Sequence, residues 1–322
     1  MSLTLRETEI LELLKQEPLI SQVELAERLL ITRSSVAVHI SNLMKKGFIL
    51  GKGYVFNQEA SIVIFGESCV RIDINPQSDN RIDINLGGFA FDAAEALSEL
   101  SAQAKVVTVV GKDQLGECLF NKMQEDKIDV TNIYRHPKSR SSRTVYINGL
   151  LSYQESIARE DYEKAADTWE WIFLNSDWLL IDPLLEKDIL NKLLQRNDEK
   201  VPCIGTCKFI SDTEDISSLN FKISLLVIGL ENSEKLEKYT KLVLNSVKMN
   251  KSSCIITDGR TGLIYIDNDT TIDFPLLPNQ SFCVKTRLPF LLAGMVYGLT
   301  RHYPTRQAIR IAISTASTNE TP

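Results

Sequence analysis

The sequence lacks the segments that direct a chain into or across a membrane. Arg6, Glu7 and Glu9 place charges where a secretory signal needs an apolar core. The longest apolar run, 288–299, is too short to span a bilayer and contains glycine. We therefore expect a cytoplasmic protein.

Cysteine pairs at metal-binding spacing are also missing. The six cysteines are scattered through apolar stretches, and Cys203 and Cys207 have no second pair at zinc spacing. We expect reduced thiols. The net charge of −6 argues against a chain that coats nucleic acid over its whole surface, although it leaves room for a small DNA-binding module. With 322 residues the chain is long enough for more than one domain.

Residues 1–56 have the pattern of three short helices followed by a hairpin. Apolar residues recur at helical spacing, Ser21 and Glu24 form a capping box, and Thr32 is a good N-cap for the third helix. Two short β runs around Gly51-Lys52-Gly53 follow. This order is that of a winged helix-turn-helix, and the pattern resembles the winged helix modules of bacterial regulators.

The third helix presents polar side chains away from its apolar stripe, and these suit base edges and phosphates in a major groove. The segment contains seven lysines and arginines and six glutamates, but the glutamates are concentrated in the first two helices. A helical protein-interaction module with a solvated polar face is the alternative. The candidate DNA-binding residues are Arg33, Ser34, Ser35, His39, Asn42, Lys45, Lys46 and, at the wing tip, Lys52.

Residues 61–322 alternate buried-strand runs with helical stretches, as in 61–66, 105–111 and 178–182. The alternation predicts an α/β fold of three layers, in which helices cover both faces of a mostly parallel sheet. Ligands in such folds bind beyond the carboxyl ends of the strands. Two hairpin-like pieces, around 71–86 and 143–155, predict a small β flap, although decorative edge strands fit equally well.

Glycine is scarce where an anion-binding loop would need it. The stretch 281–298 runs from a polar loop into an apolar helix, a natural place for phosphate late in an α/β chain. It offers Lys285, Thr286, Arg287, Leu288 and Pro289 instead of glycines. The two basic residues suit an anion, but we favour a solvated basic loop because no glycine nest accompanies them.

The order of these pieces over 61–318 resembles the ribokinase-like carbohydrate and nucleoside kinases of the PfkB type, here with a winged helix in front. "GESCVRID" resembles the segment whose aspartate holds sugar hydroxyls, which would be Asp73, and Asp83 competes because Arg-Ile-Asp-Ile-Asn is repeated. "LGGFAFDAAEAL" resembles the di-glycine motif, with Asp92 where the family usually has asparagine. The resemblance implies sugar-binding residues Asp73, Gly87, Gly88 and Asp92, and a nucleotide-side remnant of Thr257, Gly259, Gly262, Lys285 and Arg287.

The resemblance fails at the catalytic end. When the family motif is aligned on 292–294, Pro289 takes the place of the general-base aspartate. Thr286 and Leu288 replace the two glycines of its anion hole, and Gly229 and Asn232 stand where a metal-organising Asn and Glu belong. Proline neither accepts a proton nor donates an N–H. We therefore expect no catalytic residue, no metal and no cofactor.

These observations favour a DNA-binding transcription regulator, a homodimer on paired half-sites, whose degenerate kinase-like domain senses a sugar or nucleoside. The alternative is an active kinase that uses ATP and Mg²⁺, with Asp258 or Glu231 as a replacement base. A third possibility is a large domain that only dimerises.

Overall fold

The computed structural model describes residues 4–17, 20–46, 48–49, 61–75, 81–148, 150–187, 189–190, 201–212 and 223–317. Two units, Met1–Ala60 and Ser61–Pro322, make most of their contacts internally. None of the helices within the described ranges has the length and apolarity needed to cross a bilayer.

The N-terminal unit is built on a small apolar core that three capped helices share. Thr4, Ser21 and Thr32 each accept a backbone N–H three residues on, which satisfies donors that a helix start leaves free. Leu14, Leu25 and Val36 meet in the core with no exposure. The predicted wing hairpin and Lys52 lie outside the described residues. The helices are α1 (Leu5–Gln16), α2 (Gln22–Arg28) and α3 (Arg33–Lys45).

The large unit contains a nine-stranded sheet with helices on both faces, which confirms the predicted fold class. The strands are β1 (Ile62–Phe65), β4 (Ala104–Gly111), β5 (Ile133–His136), β8 (Trp178–Ile181), β9 (Cys203–Ile210), β10 (Leu225–Leu230), β11 (Ser253–Thr257), β12 (Gly262–Ile266) and β13 (Thr271–Pro275). Their order in the sheet is β13-β12-β11-β10-β9-β8-β1-β4-β5, and all neighbours are parallel except β11-β12 and β12-β13.

Alternation along the buried strands divides the core into two layers. In β1, Ile62 and Ile64 pack in one apolar cluster, and Val63 and Phe65 pack in the other. The first layer is covered by α4 (Phe89–Glu99), α5 (Gln114–Glu125), α8 (Leu288–Thr300) and α9 (Thr305–Ser317). The second is covered by α6 (Arg159–Leu174) and α7 (Leu236–Asn250).

The two hairpin-like pieces form one separate sheet, which we call the lid. The lid strands are β2 (Cys69–Asn75), β3 (Arg81–Gly87), β6 (Arg143–Ile147) and β7 (Leu150–Glu155), and their order in the sheet is β3-β2-β6-β7. Parallel pairing of β2 with β6 joins the two hairpins, so they are not independent edge decorations.

The start of α8 is fixed in space by close packing of α8 against α9. A Cβ atom added at Gly298 would lie 2.5 Å from Cβ of Ala308, and one added at Gly294 would lie 2.8 Å from Cα of Ala312. Small residues four apart on both helices therefore let the two backbones approach closely. This contact positions the loop before α8, where the resemblance places catalysis.

We predict that Gly298→Ala destabilises the large unit by about 1–3 kcal/mol because the added methyl overpacks the helix contact. Helix propensity alone predicts the opposite, a gain of about 1 kcal/mol. Urea unfolding measures the difference, and Gly298→Ala combined with Ala308→Gly is expected to recover part of the loss. A more stable Gly298→Ala protein would contradict the close contact.

Candidate functional site

The third helix of the N-terminal unit, α3, has a solvent-exposed face with a basic residue at each end. Val36, Ile40 and Leu43 are buried beneath it. Of the candidate DNA-binding residues, Arg33, Ser34 and Lys45 are exposed, and Ser35, His39, Asn42 and Lys46 are partly buried on the flanks. The helix contains no acidic residue.

Lys46 has a structural contact that the sequence did not predict. Its Nζ lies 2.7 Å from Oε2 of Glu7, whose side chain is only 2% exposed. Burial raises the pKa of Glu7, but hydrogen bonds from Lys46 and the Thr4 N–H outweigh it and lower that pKa overall. Lys46 therefore ties the end of α3 to α1, and its charge is balanced within the unit.

The lid brings the two competing sugar-binding candidates together. Asp73 and Asp83 are directly opposite on β2 and β3, and Tyr146 is the neighbour of Asp73 on β6. All three therefore share one face of the lid. Asp73 accepts two hydrogen bonds from Arg71, at 2.8 and 3.0 Å, whereas Asp83 is exposed.

The Asp73 face of the lid also carries Arg71, whose guanidinium lies 4.5 Å from the centre of the Tyr146 ring. The lid is attached to the large unit at the carboxyl end of β1, because β2 begins only a few residues after β1 ends. Ligands in such folds bind beyond the carboxyl ends of the strands, and we call this region the cleft.

Gly87 and Gly88 form the floor of this cleft, at the end of β3. Gly88 has a φ of 95°, and a Cβ there would lie 2.7 Å from the Glu67 carbonyl oxygen. One turn later the Asp92 N–H donates to the Gly88 carbonyl at 2.9 Å. Burial raises the pKa of Asp92 well above its ordinary value, Glu95 adds to the effect, and Arg287 opposes it.

Asp182 is a cleft residue that sequence reasoning missed. It follows β8 directly, and its two carboxylate oxygens accept the N–H groups of Glu67, at 3.0 Å, and Leu184, at 2.9 Å. Burial raises its pKa to about 6. The signal was a lone acid immediately after a buried strand, at the end of a parallel sheet where ligands bind.

Apolar side chains pack closely together at the carboxyl end of β10. A Cβ added at Gly229 would lie 2.9 Å from Leu288 Cδ1 and 3.0 Å from Val284 Cβ, and both side chains are buried. The carbonyl of Cys283 accepts the N–H groups of Thr286, at 3.2 Å, and Arg287, at 2.9 Å. The N–H of Thr286, at one of the two anion-hole positions, is thus already bonded.

The two basic residues of this loop, Lys285 and Arg287, have different contacts. Lys285 Nζ lies 2.9 Å from Glu231 Oε1 and is exposed. The Arg287 guanidinium lies 4.3 Å from the centre of the Phe290 ring and interacts electrostatically with Asp92. Arg287 therefore belongs with the cleft floor, and Lys285 with the outer surface.

The remaining nucleotide-side residues shape a turn. Thr257 Oγ1 donates to the Gly262 carbonyl at 2.7 Å and accepts the Gly259 N–H at 3.0 Å. Asp258 accepts the N–H groups of Arg260, Thr261 and Gly262 and the Thr261 hydroxyl. These hydrogen bonds hold the β11–β12 connection.

Two family models match the chain. Residues 3–49 match winged helix-turn-helix DNA-binding modules, and residues 59–197 match pfkB family carbohydrate kinases. An uncharacterized sugar kinase, YeiI, of Escherichia coli is 34% identical over 154 residues, which are 44% of this chain and 42% of that protein. The bifunctional protein HldE of Trichlorobacter lovleyi is 21% identical over 72% of this chain and 51% of its own. The chain thus spans about half, or less, of the length of these curated relatives.

Solved structures share the fold of the large unit. A ribokinase from Thermotoga maritima matches with a TM-score of 0.61 and 14% identity, over 82% of this chain and 93% of its own. A Burkholderia thailandensis nucleoside kinase in complex with inosine matches with a TM-score of 0.62 and 13% identity, over 80% and 90%. At these identities the likeness establishes the fold alone.

We predict that the Asp182 carboxyl titrates near pH 6 in ¹³C NMR spectra, with its signal assigned by its loss in Asp182→Asn. Because this pKa is raised on folding, the stabilising contribution of the neutral carboxyl is complete below the ordinary value of 3.8 and is lost as pH rises through about 6. Titration at or below pH 4 would mean that the site is more hydrated than the structure indicates.

Proposed function

We propose that the chain is a transcription regulator whose kinase-like domain binds a sugar or nucleoside without phosphorylating it, because residues 3–49 match winged helix-turn-helix DNA-binding modules and residues 59–197 match pfkB family carbohydrate kinases. The observation that carries the proposal is the packing of Leu288 and Val284 against Gly229, beside Pro289. It removes the space and the groups that phosphoryl transfer needs, while the other half of the cleft stays polar.

The residues present do not fit ATP and Mg²⁺. Phosphoryl transfer depends almost entirely on positioned charge. Loss of the general base alone reduces the rate by a factor of about a hundred to ten thousand, and loss of one oxyanion donor has a similar effect. Here proline stands at the position of the base, and the Thr286 and Arg287 N–H groups are bonded to Cys283.

Neither replacement base is free to act. Glu231 is hydrogen-bonded to Lys285, which lowers the pKa of that carboxyl. Burial raises the pKa of Asp258, but the Thr261 hydroxyl and three backbone N–H groups outweigh it and lower that pKa overall. Carboxylates held in this way are weak bases.

The polar half of the cleft supports ligand binding. Asp92 and Asp182, the di-glycine floor and the polar lid face can together meet the hydroxyls of a sugar ring. A nucleoside belongs in the test panel because one structural relative was solved with inosine. Metabolite sensing of this kind takes place in the cytoplasm, where we place the protein.

A dimer is supported by the exposed part of the apolar face of the lid, opposite Asp73. Register places several apolar side chains on the face opposite Asp73, and the largest of them are exposed. Exposed apolar patches of this kind mark interaction sites, and paired half-sites require paired readers. We propose that two copies pack lid to lid. The residues are Ile82, Ile84, Ile147, Leu150 and Tyr153.

We predict that calorimetric titration with a panel of pentoses and nucleosides gives heat of binding for at least one, and that no ADP is released from ATP in its presence. Asp92→Leu is expected to abolish the heat because it removes a polar group from the cleft floor. Glu99→Gln, at the exposed end of the same helix, serves as the matched control. Turnover above about one per second, ordinary for a kinase, would refute the proposal.

We also predict that Ile84→Lys converts a dimer into monomers in sedimentation experiments, because burying a lysine in an apolar interface is unfavourable. Leu242→Lys, at a residue that is 50% exposed on α7, should leave the dimer intact. Equal sedimentation of the two variants would exclude the lid as the interface.

A further inference from the structure

One stripe of α3 lies directly opposite its buried residues. Ser34, Val38, Ser41 and Lys45 recur at helical spacing, and all four are exposed. Val38 is 59% exposed at the centre of the stripe, with only small side chains on either side of it. The stripe is thus narrow and flat, and the Val38 side chain is the one apolar group that projects from it.

The charges around the stripe define what it can approach. Arg33 begins the helix and Lys45 ends it, and no acidic residue lies between them. The acids Glu24 and Glu27 are on α2. Phosphates along a groove are complementary to two basic ends, whereas a protein partner would more often meet a broader apolar patch than a single valine.

The major groove presents one apolar group, the 5-methyl of thymine. We propose that Val38 contacts a thymine methyl in each half-site, with Ser34 and Ser41 beside it on the base edges. This inference rests on the proposed DNA-binding function and names the base that the helix selects.

The test uses the full chain and a randomised duplex library. Duplexes retained by the wild-type protein are sequenced, and each thymine of the enriched site is replaced by deoxyuridine, which pairs identically but lacks the methyl. Replacement of that thymine in one half-site is expected to weaken binding about fourfold, the effect of losing one buried methyl group, and replacement in both half-sites about sixteenfold. Val38→Ala, which changes both subunits of the dimer, should bind the thymine duplex about sixteenfold more weakly and be insensitive to either replacement.

Val23→Ala is the matched control, because Val23 is a comparably exposed valine, at 49%, on α2. It should keep the full sensitivity to deoxyuridine. Equal sensitivity in the wild type and Val38→Ala at every thymine, an enriched site without thymine, or salt-dependent binding without any enriched sequence would each overturn the inference while leaving DNA binding in place. Failure to retain any duplex at low salt would overturn the DNA-binding proposal itself, and the inference with it.

Discussion

The proposed loss of phosphoryl transfer depends on the close packing of Leu288 and Val284 against Gly229. In a fold that binds ligands beyond the carboxyl ends of its strands, space at the end of β10 is where a second substrate would enter. Two branched side chains occupy it, and the close approach of α8 to α9 prevents the helix from retreating to make room. The change is therefore one of volume as well as of chemistry. Restoring an aspartate at 289 alone would leave the space filled.

The carboxyl groups on the two sides of the cleft differ in the direction of their pKa shifts. Near the loop before α8, hydrogen bonds within the protein lower the pKa values of Asp258 and Glu231. Nearer the lid, burial raises the pKa values of Asp92 and Asp182 because it disfavours their charge. A carboxyl group whose charge is disfavoured suits hydroxyl partners better than an anionic phosphate, which supports the proposed sugar or nucleoside ligand.

Sequence patterns predicted the layers of the fold well, because strand and helix periodicity is a local property. The lid was also predicted, although its parallel β2–β6 pairing depends on a contact distant in sequence. Side-chain roles were harder to predict. Lys46 was assigned to DNA but pairs with Glu7, since only the fold reveals that α1 brings a buried acid to the end of α3. Val38 and Asp182 were overlooked because an apolar residue in a helix and an acid after a strand each have commoner structural explanations.

A binding cleft without turnover follows different constraints from an enzyme. A kinase must release its product, so it cannot hold one state of its ligand too tightly. A sensor is limited instead by the difference in affinity between its two conformations, because a ligand that binds both equally shifts neither. The lid is the element best suited to supply that difference. One face carries Arg71, Asp73 and Tyr146, which we propose contact the ligand, and the opposite face carries the apolar residues proposed for the dimer. One four-stranded sheet would then contact the ligand on one face and the partner subunit on the other. Closure of the lid on the ligand would therefore also change the contact between the two subunits.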